Sequence, residues 1–469
     1  LATLGVFMAV PMKRQMINIE QLKFPSGIAA AATLQSLHGK GAGAARKAKS
    51  LAVGGAIGAV ITWFRDGGRP FAIPASIPFP GKLMGVPLGS WTLAFDMSTI
   101  MVASGAIIGW KVGWSMLLGA TINYVFLAPW MAQLGAIDIN KIGYRSIVSW
   151  STWPGSALLV TSALLTFAFS WRTIARSFGS LGNLFKKRSF EEDAIARIEV
   201  PDSWFLLGTI LSGLGCIVIL YLFFGTSIWM GILSVVLTFF LSLVSSRATG
   251  ESDITPMGAM GKITQLTFGI IAPTNIVTNL MTASVTAGAA SSSADLLTDL
   301  KSGYILGANP RKQFIAQFLG IFAGLIVVIP AFYQLVPDAS VLGSEKWPAP
   351  SAQVWAAVAR LLANGLHSLH PAAQSGLWIG GIVGILFALL GKIFPKLEPY
   401  IPSPTGFGIA FVIPFFNSFS LFLGALIALI IEKRSARMAP FIIPVSSGLI
   451  AGESLMGIAV ALLQAGKWI

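Results

Sequence analysis

Charge is what this sequence has least of. Only 11% of its 469 residues are Asp, Glu, Lys or Arg, against about 25% in a soluble domain. With 55% hydrophobic residues and a mean hydropathy of +0.76, that scarcity excludes an ordinary water-soluble fold. The single cysteine, Cys216, excludes an internal disulfide, and no zinc-ligand spacing is present. The three histidines, His38, His367 and His370, lie in loop-like stretches, and no HExxH occurs. A GxxxxGK[ST] loop is missing, which argues against an ATP-driven motor on this chain. So are a DDxxD magnesium pair and a GxSxG nucleophile elbow. The reading is therefore a non-enzyme with no cofactor and no bound metal.

What is there in abundance is apolar sequence. Runs fall near 1–12, 51–64, 88–110, 112–134, 146–171, 204–224, 225–245, 263–290, 313–336, 375–395, 405–431 and 438–465. They are continuous, not alternating over about ten residues as a membrane β-barrel requires. The expected fold is an all-α polytopic membrane protein, with about 12–14 transmembrane or re-entrant helices. Fifty glycines and 25 prolines interrupt these runs. Short, interrupted segments survive at membrane depth only when buried or lining a cavity, so broken helices around a central site are expected. The chain opens at Leu1 inside an apolar run, with neither an initiator Met nor a signal-peptide pattern, so a preceding N-terminal portion is expected.

The formal charge is +14. Its basic residues cluster between apolar runs, so membrane orientation explains them and nucleic acid is not required. Lys40 to Lys49, Arg172 to Arg197, Lys301 to Lys312 and Lys433 to Arg437 mark four cytoplasmic loops. Between Arg197 and Lys301 an even number of crossings is then needed. Residues 254–290 must cross twice or fold back, with a break near Ala272-Pro273 or a re-entrant Thr255–Leu266. The stretch "VWAAVARLLANGLHSL" is expected as an interfacial helix in an outer loop. Segments 88–109 and 404–425 resemble each other, as do 153–165 and 446–458, and 24–37 and 254–266. An internal pseudo-repeat would explain this, although apolar helices resemble one another cheaply. The chain divides into an N-terminal helical half, 1–200, and a C-terminal half, 201–469, within one membrane unit.

Charges inside spans are costly and become functional candidates. "ATGESDITPMG" places Glu251 and Asp253 beside Gly250, Pro256 and Gly258, where a broken helix frees backbone groups. "AGESLMG" repeats the triplet around Glu453, far in sequence from any base. Asp96 is the only charge in a run of about twenty residues. Glu251, Asp253, Glu453 and Asp96 are the candidates for proton coupling; capping, pairing with Arg247 or Lys262, or a structural hydrogen bond are the competing readings. Glu20, near Lys13, Arg14 and Lys23, reads as an ion-pair member. Asn275, Asn279, Asn417, Ser418, Pro256 and Gly258 are the candidates for contacting solute amides or carboxylates, with helix packing as the competing role. Asn123 and Tyr124 are similar but weaker.

Several stretches carry a family resemblance: "LKFPSGIAAAATLQ", "IPFPGKLMGVPLGSWTLAFDMSTIMVASGAIIGW", "AGAASSSADLLTDLKSGYILGANPRKQ", "PSPTGFGIAF" and "SSGLIAGESLMGIAVALL". In these the chain resembles the oligopeptide transporter family, bacterial type, related to the yellow stripe-like metal-chelate carriers. The resemblance implies a secondary carrier of roughly sixteen helices, of which about four would precede Leu1. It implies proton-coupled uptake of short peptides, with metal chelates as the alternative cargo, in a multi-pass protein of the bacterial cytoplasmic (inner) membrane. Partners would be the solute, protons and the bilayer, with a homodimer as one admissible assembly. The Asn-Pro-Gly and Lys-Ile-Pro-Pro-Arg signatures of the eukaryotic peptide branch are absent, so peptide carriage does not transfer through them. A channel or scramblase, an intramembrane enzyme and a cargo-free membrane anchor are the competing classes.

Overall fold

The computed structural model describes residues 1–469 other than 25, 29, 32–33, 35–41, 68–72, 170–197, 253–254, 346 and 466–469. The side chains of a few helical positions, Glu251 and Ser252 among them, lie outside the description. The described helices are α1 (Ala2–Lys13), α2 (Ala42–Thr62), α3 (Thr99–Ile108), α4 (Trp110–Thr121), α5 (Ala128–Gln133), α6 (Tyr144–Phe169), α7 (Asp202–Phe224) and α8 (Ile228–Ser252). They continue with α9 (Met257–Ile271), α10 (Ile276–Leu306), α11 (Pro310–Leu335), α12 (Pro350–Asn364), α13 (Pro371–Ile393), α14 (Pro404–Ile409), α15 (Phe415–Arg434) and α16 (Ile442–Ala465). Four strands of two or three residues pair as two antiparallel ribbons, β1 (Ser76–Pro78) with β4 (Ala94–Asp96) and β2 (Lys82–Leu83) with β3 (Val86–Pro87). Seven described helical segments are long and apolar enough to cross a membrane. The protein is an all-α, multi-pass integral membrane protein.

The chain forms two compact units, each assembled from separated stretches. Unit 1 comprises Leu1–Lys40, Ala163–Val328 and Val358–Gly365; unit 2 comprises Gly41–Ser162, Ile329–Ala357 and Leu366–Ile469.

Unit 1 is built around α1, whose Leu4, Met8 and Met12 are fully buried against Leu296, Leu300 and Phe314. Helices α8 and α10 run side by side in the same direction. They are joined by hydroxyl pairs, Thr226 with Thr278 at 3.1 Å, Thr238 with Thr286 at 2.9 Å and Ser246 with Ser293 at 3.1 Å. Such interhelical bonds are worth about 0.6 kcal/mol each in a bilayer, so the ladder sets register more than stability. Pro256 caps α9, and α9 ends before Ala272, leaving a break before Asn275 caps α10. The expected fold-back in 254–290 is thus present. At 15 residues, α9 is about 22 Å long and too short to span.

In unit 2, α2 and α16 lie so close that the carbonyl of Gly55 occupies the place a side chain on Gly452 would take. The carbonyl of Leu449 does the same for Gly58. Small residues at these crossings let the backbones touch. The run 88–110, read as one apolar segment, is not one helix: a 3₁₀ turn at Leu88–Trp91 and strand β4 precede the ten-residue α3. Likewise 405–431 is broken. Helix α14 follows α4 in the same direction, since Ser403 N donates to Ser115 Oγ at 2.8 Å and Tyr124 Oη donates to the Ile413 carbonyl at 2.7 Å. Helix α15 then returns, placing Ala425 beside Gly113. The result is a helical hairpin whose tip is Ala410–Pro414.

A buried acid centre and a capped hairpin tip

Glu453 lies in the middle of α16 with 4% of its surface exposed. Four donors converge on its carboxylate. Arg65 Nη1 donates to Oε1 at 2.7 Å and Ser98 Oγ to the same oxygen at 2.9 Å. Thr99 Oγ1 and the Ile100 amide donate to Oε2 at 2.5 and 2.8 Å. The amide belongs to the first turn of α3, where backbone N–H groups have no helical partner and the dipole favours an anion. Arg65 sits in a π-helical turn, Trp63–Gly67, that ends α2. Its Nε and Nη2 donate to the two Asp66 oxygens at 2.8 Å each. The guanidinium is therefore held by one carboxylate while presenting its remaining edge to the other.

Asp96 stands on β4, beside this centre. Its Oδ1 accepts from the Ser98 amide at 3.0 Å, so Ser98 links both acids, one through its backbone and one through its hydroxyl. Asp66 and Glu453 both bond the Arg65 guanidinium, and Asp96 lies near enough to interact with it electrostatically. The expectation of a lone acid at Glu453 is corrected in one respect: its base is Arg65, 388 residues earlier.

The hairpin tip is handled differently. A broken helix must find partners for the backbone groups it frees, and three hydroxyls supply them in sequence. Ser151 Oγ donates to the Phe411 carbonyl, Tyr144 Oη to Val412 and Tyr124 Oη to Ile413, each at 2.7 Å. Thr92 Oγ1 accepts from the Phe415 amide at 3.0 Å. Thr92 itself takes a left-handed backbone, φ +63°, which a β-branched residue adopts only under constraint. Asn417 and Ser418 follow in the first turn of α15, both buried. Asn417 makes no side-chain hydrogen bond among the described residues, and the Ser418 hydroxyl has no partner. Asn123, in a second π-helical turn, Ile122–Leu127, is wholly buried with neither amide atom bonded.

In unit 1 the two asparagine candidates are occupied. Asn275 Oδ1 accepts from the Thr278 amide at 2.9 Å and so caps α10. Asn279 is buried and clamps α9 to α10, donating to the Gln265 carbonyl at 2.5 Å and accepting from Gln265 Nε2 at 3.2 Å. Lys262 Nζ donates to Gln265 Oε1 at 2.7 Å. Gly258 is exposed, with open space beside it. Glu251 closes α8, with its side chain outside the described residues, and Asp253 lies outside them altogether. Glu20 is an ion-pair member as expected, but its partner is not local: Arg247 Nη2 reaches both its oxygens at 2.6 Å. Lys13 pairs with Glu199. No group of three or more His, Cys, Asp or Glu suited to a metal occurs among the described residues.

Comparison with known proteins places this architecture. The model of the OPT oligopeptide transporter family matches residues 1–464. The chain belongs to the OPT family. Relatives include the metal-nicotianamine transporter YSL1 of Arabidopsis thaliana, 24% identical over 98% of this chain and 72% of its own length. The iron-phytosiderophore transporter yellow stripe 1 of Zea mays is 24% identical over 99% of this chain and 72% of its own.

Within this OPT chain, reading the sequence reached Glu453, Asp96, Asn417 and Ser418 but missed Arg65, Ser98, Thr99, Tyr144 and Ser151. Arg65 had a signal: "TWFRDGG" puts a cation-anion pair directly after an apolar run. The hydroxyls had none, because serine and threonine are common along the chain.

Proposed function

We propose that this OPT chain is a proton-coupled secondary carrier that takes short peptides into the cytoplasm across the cytoplasmic membrane by alternating access, and that it is not an enzyme. The observation that carries the reading is the acid centre of unit 2. Three carboxylates near one guanidinium leave more acid than base at the centre, on elements packed against a membrane-spanning helix. Uncompensated charge there is expensive, and a proton or a cationic group of the solute relieves it. Asp96 and Glu453 are the proton-coupling residues in this reading, and Asn417 and Ser418 contact solute. Glu251 and Asp253 stay in the proposal on the strength of their sequence setting, as do Asn275, Asn279, Pro256 and Gly258 as secondary contacts. The names of the plant relatives support a second cargo, a metal chelate of an amino-acid-derived ligand.

The test is uptake into proteoliposomes holding the full chain, with trialanine and nickel-nicotianamine as probes. An acid-outside gradient is expected to accelerate uptake, and Glu453→Gln and Asp96→Asn to abolish the acceleration while the protein stays monodisperse in detergent. Uptake indifferent to a protonophore would sink the coupling.

A further inference from the structure

Buried polar side-chain atoms without a partner are uncommon in folded proteins, and each calls for an explanation. Asn123 holds two of them, Nδ2 and Oδ1, and Ser418 a third. Both residues are fully buried, and both border the hairpin of unit 2. Asn123 directly precedes Tyr124, whose hydroxyl meets Ile413 at the tip. It also stands one turn beyond Gly119, which is pressed on the Phe407 carbonyl. Ser418 lies on the returning arm, between the tip at Tyr124 and Ala425 at Gly113. The three freed carbonyls of the tip are already capped by Ser151, Tyr144 and Tyr124. The spare atoms of Asn123 and Ser418 are therefore not needed to satisfy the break.

We infer that Asn123 and Ser418 form a subsite for one peptide group of the transported solute, a deepening that rests on the carrier reading above. A carboxamide offers a donor and an acceptor side by side, which is the complement of a backbone C=O and N–H. Nδ2 donates to the solute carbonyl, Oδ1 accepts from its amide, and the Ser418 hydroxyl serves whichever atom remains. Asn417, next to Ser418 and also without a side-chain bond, borders the same arm. All three side chains are neutral, so the subsite suits an amide better than the carboxylates of a chelate. Asn123 sits in a π-helical turn, a distortion that recurs at functional sites.

The test measures binding by thermal shift on the purified full chain, because a ligand selective for the folded state raises its melting temperature. The probes are trialanine, which has peptide groups, and alanine, which has none. Trialanine is expected to stabilise the wild type and alanine not to. Asn123→Leu is expected to weaken trialanine at least ten-fold, and Ser418→Ala, which removes one atom and is safe for folding, about three-fold. Equal shifts from trialanine and alanine, no shift from either, or unchanged trialanine affinity in Ser418→Ala and Asn123→Leu would each overturn the subsite. Unchanged affinity would mean that Asn123 holds an ordered water only. The carrier reading is judged separately, by gradient-driven uptake of nickel-nicotianamine or trialanine, although absence of any trialanine shift would also count against peptide as its cargo.

Discussion

The two units of this chain treat buried charge in different ways. Unit 1 pairs Lys13 with Glu199 and Arg247 with Glu20, and closes its helical break with Gln265 and Asn279. Unit 2 sets two carboxylates on one guanidinium with a third, Asp96, close by, and leaves Asn123 and Ser418 unbonded. Both units leave buried hydroxyls unbonded, Thr209, Ser242 and Ser245 in unit 1 as well as Ser418 in unit 2. What separates them is charge: paired ions resist rearrangement, whereas an excess of acid invites a proton or a cationic ligand. The contrast teaches that burial alone does not mark a functional acid. What marks it is the imbalance around it.

The comparison breaks most sharply at the helix crossings. Gly452→Leu drives a side chain into the Gly55 carbonyl and is expected to abolish recovery of folded protein by size-exclusion chromatography. Gly258→Ala in unit 1, facing open space, is expected to stay within about 0.5 kcal/mol of wild type. Next come the ion pairs. Arg65→Gln and Arg247→Gln each strand a partly or fully buried carboxylate, at a cost of about 3–5 kcal/mol in thermal unfolding. Removing both partners separates the units: Arg247→Gln with Glu20→Gln is expected to keep gradient-driven uptake, and Arg65→Gln with Glu453→Gln to lose it. If both double variants transport equally, the distinction between a structural and a functional pair fails. A smaller effect is expected at the hairpin tip, where Tyr144→Phe strands the Val412 carbonyl and costs about 1–3 kcal/mol. Smallest is Asn275→Ala, expected to cost about 1 kcal/mol through the lost cap and to weaken trialanine less than Ser418→Ala does.

The fold class was legible because continuous apolar runs and scarce charge permit few alternatives. The break before Asn275 was legible too, since charge parity between Arg197 and Lys301 demanded an extra reversal. Glu453 and Asp96 stood out as charges amid apolar sequence. Arg65 did not, because nothing local links it to a residue in the last helix; that pairing exists only once α2 and α16 touch. The sealing of the hairpin tip was hidden for the same reason. Ser151 and Tyr144 look like ordinary helix residues, and Tyr124 like a weak solute contact, until the fold brings three successive carbonyls to them.

The salt bridge from Arg65 to Glu453 has a consequence for how the protein is made. Ribosomes add roughly 5–20 residues per second, so the 388 residues separating the partners take on the order of half a minute. Throughout that interval the guanidinium has Asp66 and, once made, Asp96 near it but not Glu453, and the Ser98 and Thr99 hydroxyls and the Ile100 amide lack their acceptor. Maturation of this region therefore waits for the final helix, and the nascent chain must be sheltered by the insertion machinery until α16 arrives.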